Sequence, residues 1–392
     1  MDKIILIKYG ELTTKKDNRN LFVNILYNNV KDKLSKYDVK IKKDRVRMFI
    51  ESANDDIDKI AEDLKEVFGI HRIVICEKVN TNIDEIKELV LKTFKEKDIK
   101  TFKIETKRSD KDFPYHSMEI NNILGGLILK NIPNIKVDVH NPEYLLKIEI
   151  RKDYTYIYTK ELSGIGGYPV GVQGKGLVML SGGIDSPVSA YLAMKRGIKI
   201  ECIYFESPPH TSLQAKNKVI KLVQTLTKYQ KDIKLHIINF TAMQELIYSK
   251  MDPTYMITIM RRMMYRISES IAKRNKDLII INGESVGQVA SQTLNSMKVI
   301  NSVTNYPILR PVACLDKLEI IALAKKIGTY ETSILPYEDC CTIFVPKHPV
   351  INPKLERAVF LEENTLYQDT LNECVESASY EVISYKASKN LF

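Results

Sequence analysis

One short passage, a strand that runs into a serine–glycine turn and then into a helix, constrains this chain more than any other. Residues 176–191 read GLVMLSGGIDSPVSAY. The apolar run 177–180 predicts a buried strand, Ser181-Gly182-Gly183 a tight turn, and the following residues a helix, with Pro187 tolerated near its start. Downstream, apolar strands at 199–205, 233–240 and 278–282 alternate with longer helical stretches. Strands this apolar are covered on both faces, so the fold class is α/β: a parallel sheet sandwiched by helices, with ligands at the carboxyl ends of its strands.

The first part of the chain has a different rhythm. Short strands are predicted at 4–8, 46–51, 72–78, 101–106, 144–151 and 154–160. Helices with Ile, Leu and Val at three- and four-residue spacing are predicted around 20–34, 57–67, 83–94 and 118–130. This is an α+β pattern, divided into two small subdomains near residues 68–80. Residues 163–176 hold six glycines and a proline. A dinucleotide-binding turn would need a strand before and a helix after it; here Pro169 intervenes and a strand follows, so the segment reads as a hinge. The expected domains are therefore 1–75, 76–163 and 177–392, with the hinge at 164–176.

At 392 residues the chain is long enough for two or three cores. No apolar run approaches a membrane span, and the opening segment carries Asp2 and Lys3, so it reads as a strand rather than an export signal. A cytoplasmic location, with six cysteines kept as thiols, is the expectation. The net charge of +10 is uneven: residues 1–50 hold 13 Lys and Arg against 6 Asp and Glu. That surplus suits a polyanion or an ordinary lysine-rich surface, and charge alone does not choose between them. The 21 tyrosines offer surface for base stacking.

The chemistry is concentrated in the turn. Gly182 and Gly183 let the backbone approach a phosphate, the helix start presents free N–H groups, and Ser181 and Ser186 add hydroxyls. Asp185 would repel phosphate unless it meets Mg²⁺ or orients another group. The pattern lacks the lysine of the Gly-x4-Gly-Lys loop; it resembles the pyrophosphatase loop, Ser-Gly-Gly-x-Asp-Ser, of enzymes that split ATP between the α- and β-phosphates. Tyr204 and Phe205 end the next strand, where backbone groups and an aromatic face could hold adenine. Gly283, in Asn282-Gly-Glu-Ser285, permits close backbone approach at another strand end. Gln288 and Gln292 share a face if that stretch is helical. Arg261 and Arg262 could neutralise phosphate, and Lys317 could stabilise departing pyrophosphate.

Cys340 and Cys341 stand in tandem after Glu338 and Asp339. Neighbouring acids raise a thiol's pKa, but a carboxylate can accept a proton and a persulfide is more acidic than a thiol. His348 and Cys374 follow at a spacing that matches no common zinc pattern, and a purely structural pair is the alternative. Cys76, Cys202 and Cys314 lie in apolar segments and are expected in the core.

Taken together, Leu180-Ser-Gly-Gly-Ile-Asp-Ser186, Phe205-Glu-Ser-Pro-Pro209, Gly283-Glu-Ser-Val-Gly-Gln-Val-Ala-Ser-Gln292 and Tyr337-Glu-Asp-Cys-Cys341 resemble the tRNA 4-thiouridine synthase family, also described as thiamine-biosynthesis sulfurtransferases. The resemblance spans essentially the whole chain. It implies a ferredoxin-like domain, a THUMP RNA-binding domain (conventionally about 57–161) and a pyrophosphatase-loop domain. It also implies uridine 8 of tRNA as substrate, and ATP with Mg²⁺ for activation. ATP contacts would fall on Met179, Leu180, Tyr204, Phe205, Arg261, Gly283 and Gln292, with the loop at Ser181, Gly182, Gly183 and Ser186. Tyr204 stands where relatives often have His, which leaves it a backbone role. Asp185 and Lys317 match positions linked to adenylation, and Cys340 the catalytic cysteine; no residue is assigned as a metal ligand.

Long members add a rhodanese domain with a persulfide cysteine, whereas about fifty residues follow Cys341 here. A separate cysteine desulfurase is then expected to load Cys340, with Cys341 and Cys374 both open as resolving thiol. A sulfur-carrier protein of thiamine synthesis and a homodimer are further partners the family allows. Two rivals are weighed against this reading. An amide-forming ligase shares the loop but would carry a glutaminase signature, and an RNA-binding protein with a vestigial loop would not keep the hexapeptide intact.

Overall fold

Two compact units divide the chain, residues 1–166 and 167–392. The computed structural model describes residues 3–15, 17–53, 56–343, 346 and 348–384, without the side chains of Thr13, Cys341 and Thr342.

In the first unit, β1 (Lys3–Lys8), α1 (Arg19–Lys33), β2 (Val39–Lys43), β3 (Arg47–Ser52), α2 (Ile57–Leu64) and β4 (Arg72–Asn80) follow one another. Their strands lie side by side in the order β2-β3-β1-β4, all antiparallel, which is the ferredoxin-like arrangement. The run continues with α3 (Ile83–Lys95), β5 (Thr101–Arg108), α4 (Ser117–Asn131), β6 (Lys136–Val137), β7 (Tyr144–Ile150), β8 (Tyr154–Tyr158) and β9 (Glu161–Ser163). β4 joins the two halves into one sheet: Glu77–Asn80 pair with β8 and Arg72–Val74 with β9. Ile86, Leu89, Val90 and Phe94 of α3 pack with Ile120, Leu124 and Ile128 of α4, the three- and four-residue stripes read from the sequence.

β2 was not anticipated. Its residues are half-buried or exposed, and three of its five are lysines, the composition that protects an edge strand from pairing with another chain.

The second unit alternates strand and helix: β10 (Lys175–Met179), α5 (Asp185–Lys195), β11 (Lys199–Glu206), α6 (Leu213–Leu226), β12 (Asp232–Asn239), α7 (Thr241–Lys250), α8 (Met256–Asn275) and β13 (Ile279–Ile281). Then come α9 (Leu294–Asn301), β14 (Ile308–Leu309), α10 (Lys317–Ile327), α11 (Tyr330–Ser333), α12 (Cys340–Ile343), α13 (Leu355–Glu363), α14 (Gln368–Glu376) and β15 (Ser379–Ser384). The sheet order is β14-β13-β10-β11-β12-β15. The first five strands are parallel; β15 adds an antiparallel edge, absent from the sequence reading because only Ile383 of it is buried. Val178, Ile203, Ile238 and Ile280 are fully buried, as expected for strands covered on both faces. Successive strands build outward from β10 in one direction and return on its other side as β13. The loop after β10 therefore opens at the switch in strand order, where ligands of such sheets bind.

A buried charge cluster lies at the other end of this sheet. Glu201 accepts from Lys175 Nζ at 2.6 Å and contacts His236 Nε2 at 2.8 Å. Burial works to raise the Glu201 pKa, yet His236 and Lys175 hold it at about 2. Asp277, 2% exposed, has Lys175 only at 3.8 Å; burial and the charge of Glu201 push it up to about 6. A carboxyl whose folded pKa is raised gives stability present below pH 4 and lost as pH rises through 6. Between pH 5 and 8 this group alone should cost about 1 kcal/mol. Asp277→Asn should flatten that decline in denaturant-unfolding curves recorded across the same range.

Candidate active site

The loop at 180–186 is closed by its own side chains. Leu180 N–H donates to Ile203 O at 2.9 Å and fixes the end of β10 against β11. Ser181 N–H donates to Ser186 Oγ at 3.0 Å, Ser186 Oγ reaches back to Ser181 O at 3.2 Å, and Gly183 N–H donates to Ser181 Oγ at 3.2 Å. Both hydroxyls, expected as phosphate donors, shape the turn here. Gly182 and Gly183 are not among the glycines with left-handed backbone, so what they contribute is the missing side chain. Gly283 is more demanding: a Cβ there would meet Ser186 N at 2.6 Å and Ser186 Cα at 2.8 Å. Backbone presses on backbone at that point, and only glycine fits.

Asp185, the first residue of α5, accepts from Lys317 Nζ at 2.6 Å and from Gln288 Nε2 at 3.0 Å. Lys317 is held at the start of α10, where Asp316 and Glu319 form a capping box. Gln288 does not lie on a helix with Gln292. It sits in a bend, while Gln292 turns inward and accepts from Ser285 N–H at 3.4 Å.

The paired arginines separate completely. Arg261 donates through Nη2 to Glu284 Oε1, and Arg310 donates through Nε to Glu284 Oε2 at 2.7 Å. Glu284 is 1% exposed; burial opposes its charge, but the two guanidiniums keep its pKa below the usual carboxylate range. Arg262 is committed elsewhere. Its Nη2 donates to Glu362 Oε2 at 2.9 Å and its Nη1 to Ser302 Oγ at 2.8 Å, and it is buried. It is a core residue and not a phosphate ligand.

Met179, Leu180, Tyr204 and Phe205 are all buried at the strand ends. The Phe205 ring packs edge-to-face on Phe240 at 5.4 Å, so its aromatic face belongs to the core. The Tyr204 hydroxyl is buried with no hydrogen-bond partner among the described residues. Burial, Asp339 and Cys340 all push its pKa up.

The cysteine segment reaches the same loop, through a residue the sequence did not single out as a loop ligand. Gly182 N–H donates to both carboxylate oxygens of Asp339 at 3.0 Å. Ser333 Oγ donates to Gly183 O at 3.2 Å, and Lys218 Nζ to Leu335 O at 2.8 Å and Tyr337 O at 3.3 Å. Cys340 is 3% exposed, and its carbonyl accepts from Gln244 Nε2 at 2.7 Å. Cys374 is buried too, its pKa pushed up to about 11 by burial. The Cys341 side chain lies outside the described residues. Cys76 and Cys202 are buried, but Cys314 is exposed, contrary to expectation: it sits in the turn before α10, not in a strand.

Lys218 had a legible signal. It lies on the buried stripe of α6 with Ala215, Leu222 and Val219, and a lysine on an apolar stripe must find partners inside.

Among the described residues no cluster of three His, Cys, Asp or Glu could hold a metal ion, and no helix is long and apolar enough to cross a membrane.

Comparison with known proteins adds three family profiles: the ThiI ferredoxin-like domain over 4–74, the THUMP domain over 80–160, and "Thiamine biosynthesis protein (ThiI)" over 171–367. A probable tRNA sulfurtransferase of Thermoanaerobacter pseudethanolicus is 50% identical, over 95% of this chain and 98% of its own. A solved 4-thiouridine synthetase, in complex with RNA and with bound ATP, is 36% identical with a TM-score of 0.89, covering 98% of this chain and 100% of that one. The Pyrococcus horikoshii protein PH1313, at 23% identity and TM-score 0.65, covers 83% of this chain and 99% of its own, and shares the fold.

Proposed function

The chain belongs to the thiamine biosynthesis protein (ThiI) family, and we propose that it is a tRNA sulfurtransferase that activates O4 of uridine 8 with ATP and replaces it with sulfur. The observation that carries this reading is the convergence on one loop of two chemistries. Asp185 and Lys317 stand at the mouth of the phosphate turn, and the segment bearing Cys340 is bonded to Gly182 of the same turn. The relative with bound ATP and RNA supports both substrates.

In this mechanism residues 76–163, together with the lysine-rich first domain, dock the tRNA by shape and phosphate charge. O4 of the uridine attacks the α-phosphorus and pyrophosphate leaves toward the loop N–H groups. Activation is needed because a carbonyl oxygen is a poor leaving group and AMP a good one. Arg261, oriented by Glu284, and Lys317, oriented by Asp185, would stabilise the charge that develops. The terminal sulfur of a Cys340 persulfide then attacks C4 and AMP departs. A second thiol cleaves the resulting S–S bond, releasing the thiocarbonyl and leaving an enzyme disulfide that a cellular thiol reduces. The persulfide sulfur comes from a separate cysteine desulfurase.

Asp185, whose two oxygens now meet Lys317 and Gln288, is the carboxylate beside the loop that would hold Mg²⁺, an ion that arrives on substrate phosphates and keeps few protein ligands. When bound, it would neutralise phosphate charge.

Lys317→Met tests the adenylation assignment. It should slow pyrophosphate release by roughly 10²–10³-fold, with stability almost unchanged because the Lys317–Asp185 pair is partly exposed. Incubating the full chain with unmodified tRNA, ATP, Mg²⁺, cysteine and a desulfurase tests the whole reading. Thiouridine absorbance should appear, and intact ATP turnover on another substrate without thiolation would refute it. The family's thiamine description favours a second use of the same loop, adenylation of a sulfur-carrier protein's terminal carboxylate. That activity would show as carrier-dependent pyrophosphate release.

A further inference from the structure

Cys340 cannot act where it stands. Its proposed chemistry requires it to meet an external sulfur donor and a tRNA base, yet it is 3% exposed and packed in the core that includes Phe205, Phe240 and Met260. Its segment must therefore move, and the hydrogen bonds around it show where it can give. Ser333 Oγ on the Gly183 carbonyl, and Lys218 Nζ on the carbonyls of Leu335 and Tyr337, fix the near end of the segment. The far end is held by Gln244 Nε2 on the Cys340 carbonyl at 2.7 Å, which anchors the backbone, and by the Asp339 side chain. Asp339, the residue immediately before Cys340, places both carboxylate oxygens 3.0 Å from Gly182 N. That N–H is part of the backbone cradle an ATP phosphate would use, and a carboxylate there stands in for a phosphate group. A single N–H serves one anion well at a time, so a phosphate oxygen that takes the Gly182 N–H must replace the Asp339 carboxylate that now holds it.

We propose that Asp339 is a displaceable anion in the phosphate turn, so that arrival of nucleotide phosphate or pyrophosphate detaches it from Gly182 and uncovers Cys340. Asp339 is then a positioning residue: it acts through the loop and the cysteine, not on the reacting atoms. Burial already works against its charge, with the Gly182 N–H and Lys218 opposing, so an entering anion would compete at Gly182 with a carboxylate whose charge is costly to keep there. The consequence for the reaction is order. The sulfur-bearing thiol stays covered until the turn is occupied, which keeps a persulfide from spending itself on solvent or stray thiols before a base has been activated. The inference rests on the sulfurtransferase reading for the role of Cys340, but its test does not need thiolation.

The test uses the full-length chain. The rate at which iodoacetamide alkylates Cys340 is followed by peptide mass spectrometry, with inorganic pyrophosphate or α,β-methylene-ATP titrated in. Either anion should speed Cys340 labelling roughly tenfold or more while leaving Cys202 protected, as expected for a shift from a covered to an open population. Asp339→Asn removes the competing charge but keeps an acceptor for Gly182. It should label fast without any anion and bind pyrophosphate several-fold more tightly, because less of the binding is lost to displacement. The inference is overturned if anions slow or do not change Cys340 labelling in the unmutated chain, a result that needs no variant to fold. It is equally overturned if Asp339→Asn weakens pyrophosphate binding, which would make Asp339 a strut of the cradle. A chain that opens on pyrophosphate yet never thiolates tRNA would instead contradict the sulfurtransferase reading and leave the displacement intact.

Discussion

Cys340→Ala should abolish tRNA thiolation, by ~10³-fold or more, while pyrophosphate release and tRNA binding continue. The separation is the informative part. In the proposed mechanism adenylation depends on the turn at 180–186, on Asp185 and on Lys317, and the hydrogen bonds described for them run among Ser181, Gly183, Ser186, Asp185, Gln288 and Lys317. The carbonyl of residue 340 would still accept from Gln244, so the segment keeps its backbone anchor. Removing one buried sulfur should cost about 1 kcal/mol of stability. Rapid-quench measurement of AMP formation beside thiouridine absorbance would separate the two half-reactions. A variant that still thiolates with a desulfurase as donor would show that another thiol carries the sulfur.

Gly283→Ala should be the most damaging small change in the pocket. The new methyl would sit 2.6 Å from Ser186 N and 2.8 Å from Ser186 Cα, backbone atoms that no rotamer change can move aside. The turn must shift or β13 must retreat, at about 1–3 kcal/mol. Because that turn is the proposed phosphate cradle, ATP affinity should fall by ~10²-fold, the equivalent of about 3 kcal/mol. Gly182→Ala is the control: the atoms nearest its Cβ would be side-chain atoms of Asp339 and Lys218, at 3.2 Å, so the fold should be disturbed less. Calorimetric titration with ATP alongside thermal melting distinguishes the cases.

The turn was readable because its parts are contiguous: strand, glycines, capping residues and helix start follow one another, so spacing alone implies the geometry. Contacts between distant segments were not readable. Arg261 and Arg262 are adjacent on α8 and chemically identical. A rotation of about 100° between neighbouring helical residues turns one toward Glu284 and the other toward Glu362. Asp339 looked like a neighbour of Cys340, and only the fold shows its carboxylate on Gly182, 157 residues away in sequence. Cys314 was placed in the core because its flanks, Val312 and Ala313, are apolar; Val312 is buried, but the turn points the thiol outward. The edge strands β2 and β15 escaped for the reason they are edges, having few buried side chains to leave a period in the sequence.

The central claim is that the uridine oxygen itself is activated as an adenylate before sulfur arrives. Transfer RNA labelled with ¹⁸O at O4 of its uridines, thiolated by this enzyme with ATP and a persulfide-loaded donor, follows that oxygen directly. If O4 attacks the α-phosphorus, mass spectrometry should find one ¹⁸O in the phosphate of each AMP formed per thiouridine. Unlabelled AMP alongside full thiolation would mean that ATP activates some other group, and the mechanism proposed for Asp185, Lys317 and Cys340 would be contradicted.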